Sequence, residues 1–423
     1  MFQICPVHSQ QILKLKPSQI EAIFLEQNLS IIAERMNINI ADAKIAQSKL
    51  WDNPELSVSD VNLWSSKSQK EGEKEVIPPL FGSFARNTQF SIELSQLIYT
   101  ANKKGKEVCV EKAAKEMTIQ EFEDLLRNMK FELRKSIYET LYLQSYLKVL
   151  KDQENSLNQL INAYQKQVDA GNFAKNELLR LQSSELELDS EINETQTNIN
   201  EHQKNLKALL CAEPSVSIEI TNSATTSIKP EDISISNIIN GLDESRPDLK
   251  RQGLQISYFD KVMNFEKSQR IPDITLSANY DRRGGVWRDF IGFGVSFNLP
   301  FLNRNQGNIK IAQLSKEQSK YQSQQQLRIA QYEVNEAFSN YELAYKFYQK
   351  VSDNKLLSEL DNMLESYTKN LLKKNISMLE YTDFMDSYKA NKQTVLTAQK
   401  NLELSFEELQ YRIGTDIKTI DKE

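Results

Sequence analysis

The stretch Ile291-Gly292-Phe293-Gly294-Val295-Ser296-Phe297-Asn298-Leu299 decides the reading of this chain. Ile291, Phe293, Val295, Phe297 and Leu299 alternate with glycine, serine and asparagine. Period two with one apolar and one small or polar side is the pattern of a strand with two unlike faces. Just upstream lies Ile271-Pro272-Asp273-Ile274-Thr275-Leu276. There a proline ends a helix expected over 247–268 and starts an extended segment, because its fixed φ and missing N–H disfavour continuing the helix. The residues between, 281–289 with Arg282-Arg283-Gly284-Gly285, read as a polar loop joining two antiparallel strands.

The same order occurs earlier in the chain. A helical stretch expected over 17–50 runs into Asn53-Pro54-Glu55-Leu56-Ser57-Val58, a polar loop spans 65–80, and Thr88–Leu94 places Phe90, Ile92 and Leu94 on one side. Each strand pair is followed by a long unbroken helical pattern, over 96–169 and 306–373. Leu150, Leu157 and Tyr164, interleaved with Leu147, Ile161 and Val168, have the three-and-four spacing of a coiled-coil seam. Leu327, Ala330, Val334, Phe338, Tyr341, Tyr345 and Tyr348 form the matching stripe, and plain helix packing accounts for both. A helix of about 70 residues would span about 100 Å. Asp169-Ala170-Gly171-Asn172 and Lys373-Lys374-Asn375-Ile376 are the expected turns, with Gly171, and Asn375 less well, supplying the left-handed residue. Return helices are expected to about Leu210 and Ile413. Downstream of the strands the two halves recur at an offset of about 205 residues, with a larger offset upstream, the mark of an internal repeat.

Composition fits long helices with wet faces. Among 423 residues there are only 12 glycines and 10 prolines, and 39% of residues are hydrophobic. The net charge of −6 is spread along the chain, with no basic stripe to favour nucleic acid. Three scattered cysteines (Cys5, Cys109, Cys211) and two histidines (His8, His202) define neither a disulfide framework nor a metal centre, so no cofactor is expected. No nucleotide-binding, hydrolase or metalloprotease motif is present, which argues against an enzyme. No apolar run reaches the length of a membrane-spanning helix, which leaves a β-barrel open.

These elements, in this order and twice over, resemble the TolC-type outer-membrane factor family, and within it the heavy-metal-efflux branch (CzcC-like, CusC-like). The carrying motifs are Asn53-Pro54-Glu55-Leu56; Gln89-Phe90-Ser91-Ile92-Glu93-Leu94-Ser95-Gln96 leading to Lys103-Lys104; Ile271-Pro272-Asp273-Ile274; Phe297-Asn298-Leu299-Pro300-Phe301-Leu302-Asn303-Arg304-Asn305-Gln306-Gly307-Asn308-Ile309; and Asn375-Ile376-Ser377-Met378-Leu379-Glu380-Tyr381. The resemblance implies a mainly α fold with a membrane β-barrel portion. Two tandem strand–strand–helical-hairpin repeats would make a protomer. Three protomers would share one barrel of about 12 strands in the outer membrane, above an α-helical tunnel through the periplasm. It implies as partners a periplasmic adaptor, an inner-membrane proton-driven RND-type pump and outer-membrane lipid. The expected function is the outer channel of a tripartite efflux system for small solutes, heavy-metal cations first. Drug or type I protein export is the alternative cargo, and a soluble or periplasmic coiled-coil adaptor or scaffold is the alternative class.

The expected layout is a signal-peptide remnant or disordered tail over 1–16, repeats over 17–211 and 233–415, a linker over 212–232 and a tail over 416–423. By the resemblance, the turns Gly171-Asn172 and Lys374-Asn375 would touch the adaptor, with Lys374 standing where the first half has glycine. Glu380 and Asp383, three apart on one helix face, and Glu177 in the first half would form carboxylate rings at the entrance, although Arg180 replaces the second acid there. Trp51, Trp64, Tyr280, Trp287 and Phe290 surround the expected strands and are candidates for an aromatic girdle at the lipid boundary.

Overall fold

In the computed structural model of the chain, residues 12–62, 89–221, 228–282, 289–352 and 356–417 are described. In chain order the elements are β1 (Ile12–Leu15), α1 (Pro17–Gln27), α2 (Leu29–Ser48), β2 (Glu55–Asn62), β3 (Gln89–Ile98), α3 (Lys103–Asp169) and α4 (Lys175–Leu210). There follow β4 (Ser217–Ile220), a 3₁₀ turn (Pro230–Asp232), α5 (Ile235–Asn240), α6 (Leu242–Ser245), α7 (Pro247–Ser268), β5 (Ile274–Asp281), β6 (Phe290–Phe297), α8 (Gln306–Ser352), α9 (Leu356–Leu372) and α10 (Met378–Ile413). Contacts divide the chain into two units: Met1–Met36 with Gln120–Lys250 and Gln324–Glu423, and Asn37–Ile119 with Arg251–Ser323.

The second unit holds one sheet of four antiparallel strands in the order β2-β3-β5-β6. Its strands come from both expected hairpins, laid side by side. β3 is longer than the sequence suggested. It continues to Ile98, so the helix expected from Gln96 begins only at Lys103. The ladder is the reason: Gln96, Leu97 and Ile98 pair with Leu276, Thr275 and Ile274. The turn that follows, with Ala101 and Asn102 both left-handed, is pinned to the entry of β5. Thr100 N and Lys103 Nζ donate to the Asp273 carboxylate at 2.9 and 2.7 Å, and Thr100 Oγ1 donates to the Pro272 carbonyl at 2.7 Å.

The first unit is helical with one small sheet. Its core lies along two seams. One is formed by Tyr146, Leu150, Leu157, Leu160 and Tyr164 of α3 against Leu178, Leu181 and Leu188 of α4 and Tyr381 of α10. The other joins Ala330, Val334, Ala337, Tyr341 and Tyr345 of α8 to Leu402, Phe406, Leu409 and Ile413 of α10. In the first seam Tyr146 and Leu160 are the buried residues, and Leu147 and Ile161, expected there, are only partly buried. The buried positions Tyr146, Leu150, Gln153, Leu157, Leu160 and Tyr164 follow a four–three alternation in the phase opposite to the one through Leu147 and Ile161.

Two further expectations are corrected. The single helix over 17–50 is two helices, because buried Asn28 interrupts it: its Oδ1 accepts from Ile31 N at 3.0 Å, capping α2, and its Nδ2 donates to Leu209 O at 2.7 Å. Residues 12–15, expected within a tail, form β1, paired in parallel with β4 from the expected linker. The other edge of β4 is finished by side chains. Gln203 Oε1 accepts from Ile218 N at 3.0 Å and Gln144 Oε1 from Ile220 N at 3.2 Å, so the buried backbone groups are satisfied without a third strand.

Candidate channel wall and hairpin tips

Residues directly opposite one another in a ladder share a face. The register therefore sorts the four-stranded sheet into two surfaces. One carries Leu56 and Val58, Ile92 and Leu94, Ile274, Leu276 and Ala278, then Ile291, Phe293, Val295 and Phe297. This surface is exposed; Phe293 is 86% accessible and Val295 65%. The other surface carries Glu55, Ser57, Ser91, Glu93, Ser95, Thr275, Ser277, Asn279, Asp281, Gly292, Gly294 and Ser296. Its glycines keep it open. A Cβ on Gly294 would stand 2.6 Å from Ser277 Oγ, and one on Gly292 2.4 Å from Asn279 Oδ1. The sheet is thus apolar and exposed on one face and polar on the other, and among the described residues its outer strands β2 and β6 have no partner on their outer edges.

Aromatic residues mark both ends of these strands. At one end the Tyr280 and Phe90 rings lie 6.0 Å apart, the Arg282 guanidinium sits 5.7 Å from the Phe90 centroid, and Tyr280 OH donates to Asp289. At the other, Trp51 packs 5.9 Å from Tyr99, whose hydroxyl donates to Asp52 at 2.6 Å. From Phe90 to Tyr99 the chain covers about 30 Å along the strand, or about 23 Å at a barrel tilt, close to the height of a barrel's apolar band. Phe290, a girdle candidate with Tyr280, pairs with Asp281 and so lies on the face opposite Tyr280. Trp64 and Trp287 lie outside the described residues. Phe90 and Tyr99 were not expected among the aromatics at the strand ends, although the alternation through Phe90 was visible in the sequence.

The two helical turns are alike bond for bond. In the first, Gly171 N donates to Val168 O (2.9 Å) and Asn172 N to Gln167 O (2.8 Å). In the second, Lys374 N donates to Leu371 O (3.0 Å) and Asn375 N to Asn370 O (2.9 Å). Both are Schellman caps with a left-handed residue at the same place, Gly171 at φ 75° and Lys374 at φ 59°. The left-handed residue of the second turn is thus Lys374, one before the Asn375 expected. Lys374 also joins the turns: its Nζ donates to Asn172 O at 2.9 Å and lies 4.5 Å from the Phe173 ring centroid.

The candidate acids do not share one environment. Glu380 closes a capping box at the start of α10, its carboxylate accepting from Ser377 N (2.7 Å) and Ser377 Oγ (2.9 Å), while Ser377 Oγ accepts from Glu380 N. The Ser377 amide, then its hydroxyl, holds this exposed carboxyl below the ordinary glutamate range. Glu177 has the same position in α4, but Ala174 stands where α10 has Ser377, so no box forms. Burial, and then the Glu177 carboxylate, push the Tyr164 phenol up to about 12. Asp383 is exposed one turn beyond Glu380. No expectation anticipated a cluster elsewhere in this unit, where Arg134 meets Glu407 at 2.8 Å, Asp416 at 3.0 Å and Glu21 at 3.2 Å. Its members come from distant parts of the chain and follow no local period. Among the described residues no helix is long and apolar enough to cross a membrane, which bears only on helices.

Known proteins agree with this geometry. Residues 23–212 match the outer membrane efflux protein family, a family of transport components rather than enzymes. No curated protein matches by sequence. Solved structures share the fold over nearly the whole chain. The CmeC outer membrane channel of Campylobacter jejuni has a TM-score of 0.75 at 14% identity, covering 96% of this chain and 88% of that one. CusC gives 0.73 at 16%, covering 98% and 95%. The outer membrane protein VceC of Vibrio cholerae gives 0.71 at 15%, covering 94% and 96%. At such identities the likeness is one of fold.

Proposed function

We propose that the whole chain is the outer-membrane channel protomer of a tripartite efflux system, working as a homotrimer with a periplasmic adaptor and an inner-membrane RND-type pump. The observation that carries this is the two-faced sheet, whose outer strands are unpaired among the described residues. Open strand edges are not tolerated in hydrocarbon, and four strands are too few to close a barrel alone. Three copies give about 12 strands, with the apolar faces to lipid and the polar faces lining a lumen. The family match over 23–212 and the fold shared with solved outer-membrane channels support the reading. Elements that recur at one offset support two tandem copies: α4 and α10, each 36 residues, start 203 residues apart (378 less 175), as do α3 and α8 (306 less 103).

Heavy-metal cations are the proposed cargo. The motifs resemble that branch, and the polar face of the sheet carries Glu55, Glu93 and Asp281 with no basic residue among the paired positions. A lumen lined by carboxylates favours cations. The turns at Gly171-Asn172 and Lys374-Asn375 are proposed to meet the adaptor, and rings of Glu177, Glu380 and Asp383 to narrow the entrance. Extraction of a heat-modifiable trimer from outer membranes is the expected result; recovery as a monomer in the soluble fraction refutes the channel. A deletion strain should become sensitive to copper, zinc or cadmium salts. Sensitivity to drugs alone, or a lost secreted protein, would replace the cargo and leave the channel standing.

A further inference from the structure

Four helices join the four-stranded sheet at one end. Because every strand pair is antiparallel, β2 and β5 begin where β3 and β6 finish, so α2 and α7 arrive, and α3 and α8 depart, at the same edge. α2 leads into β2 and α8 follows β6, the two outer strands; α3 and α7 attach to the two strands between. Each outer helix is tied to its inner neighbour. α2 buries Ala41, Ile45 and Ser48, and Asp42 beside them accepts from Lys115 of α3 at 2.7 Å. α8 buries Ala312 and Ser319, and Lys316 between them is paired with Asp260 of α7.

The far sides of both helices are the wrong way round for water. Ile32, Met36 and Ile40 recur every four residues on α2, and Ile311, Leu314 and Tyr321 follow at three and seven on α8. At 3.6 residues per turn each row lies about 140° round its helix from the buried residues. All six side chains are exposed, Met36 at 56% and Tyr321 at 74%. Both helices thus bury mainly alanine and serine and leave large apolar groups in solvent. An exposed apolar residue is ordinary when single, but an aligned row marks a contact surface. The two rows also stand at the same level. Ile40 lies eight residues before the end of α2 at Ser48 and Leu314 eight after the start of α8 at Gln306, each about 12 Å from the end nearer the sheet. Ile32 and Tyr321 follow at about 24 and 23 Å.

We infer that the row on α8 of one copy packs antiparallel against the row on α2 of the next, so that the interface between copies continues from the strands into the helices. A head-to-tail ring in which β6 receives β2 brings these two helices side by side at each seam. The inference rests on the homotrimer reading and adds to it a second, helical contact. The full chain with photoreactive p-benzoylphenylalanine in place of Tyr321, irradiated in outer membranes, tests it by denaturing gel and peptide mass spectrometry. Expected are covalent dimers and trimers with the adduct on residues of α2. The crosslinked fraction should fall about tenfold when Met36→Glu and Ile40→Glu set two carboxylates in the row. A trimer that forms while the adduct is absent, or sits on lipid or on another protein, overturns the inference and leaves the channel reading standing. A crosslinked fraction unchanged in the double variant overturns it as well. A chain that is monomeric before irradiation overturns both. Should the double variant fail to assemble, the position of the adduct in the parent chain decides alone.

Discussion

Lys374 adopts the left-handed conformation that Gly171 adopts at no steric cost. A side chain there costs about 1–2 kcal/mol, and the structure offers two returns, the bond to Asn172 O and the stacking over Phe173. Both are solvent-exposed contacts, each worth about 0.5–1 kcal/mol. The terms nearly cancel. Lys374→Gly should therefore leave the unfolding midpoint almost unchanged while loosening the first turn, seen as faster proteolysis near Asn172. Gly171→Ala has no such return and should destabilise by about 1 kcal/mol in denaturant unfolding. Glu380 adds a pH dependence. Its carboxyl is held below the ordinary value of 4.5 by the Ser377 amide and hydroxyl. A depressed carboxylate pKa contributes stability above the unfolded value, and that contribution is lost as pH falls through the folded one. Protection of the Ser377 amide, measured against its intrinsic exchange rate, should be high at neutral pH and fall as pH drops below 4.5 and the Glu380 carboxylate protonates; Glu380→Gln should weaken that protection and remove its pH dependence. Protection that stays constant across this range would remove the capping box from the account.

At the scale of the element, the sheet's two faces make opposite demands. A charge placed among Phe293, Val295 and Leu276 would face hydrocarbon and cost about 2–4 kcal/mol at mid-depth. Ser277→Lys, on the polar face, would meet water. Val295→Lys should thus cut the yield of assembled protein in the outer membrane sharply, whereas Ser277→Lys should assemble normally and alter conductance; equal yields would mean that the apolar face does not meet lipid. These faces were legible in the sequence because a strand's period is two and β6 is a clean alternation. Helix ends were also legible where caps act locally: α7, α4 and α10 end where Ser268, Leu210 and Ile413 were expected. What could not be read depended on partners far along the chain. Asn28 divides a helix because Leu209 O lies within reach of its amide. β1 forms because β4, some 200 residues later, has a free edge. The candidate acids were found by position, but position gave no warning that Ser377 would engage Glu380 while Ala174 left Glu177 without a box.

At the scale of the whole molecule, the unpaired edges make an assembly prediction that needs no knowledge of cargo. In the order β2-β3-β5-β6 with every pair antiparallel, β6 of one copy can receive β2 of the next and keep the alternation. Such head-to-tail contacts close into a ring when the rotation permits. In a chain whose cysteines Cys5, Cys109 and Cys211 are changed to serine, Ser296→Cys on β6 can be paired in turn with Glu55→Cys, Ser57→Cys and Ser59→Cys on β2. All four positions are on the polar face, so the register between copies, not the choice of face, decides which pair meets. Oxidation of the protein in outer membranes should link one of the three pairs into a ladder of monomer, dimer and trimer that stops there. A disulfide requires Cα atoms within about 7 Å, so strong linking in one register and little in the others is the expected pattern. A ladder continuing past three copies would mean an open filament rather than a barrel. Linking absent from all three registers would mean that the edges of β2 and β6 are covered by something other than a second copy.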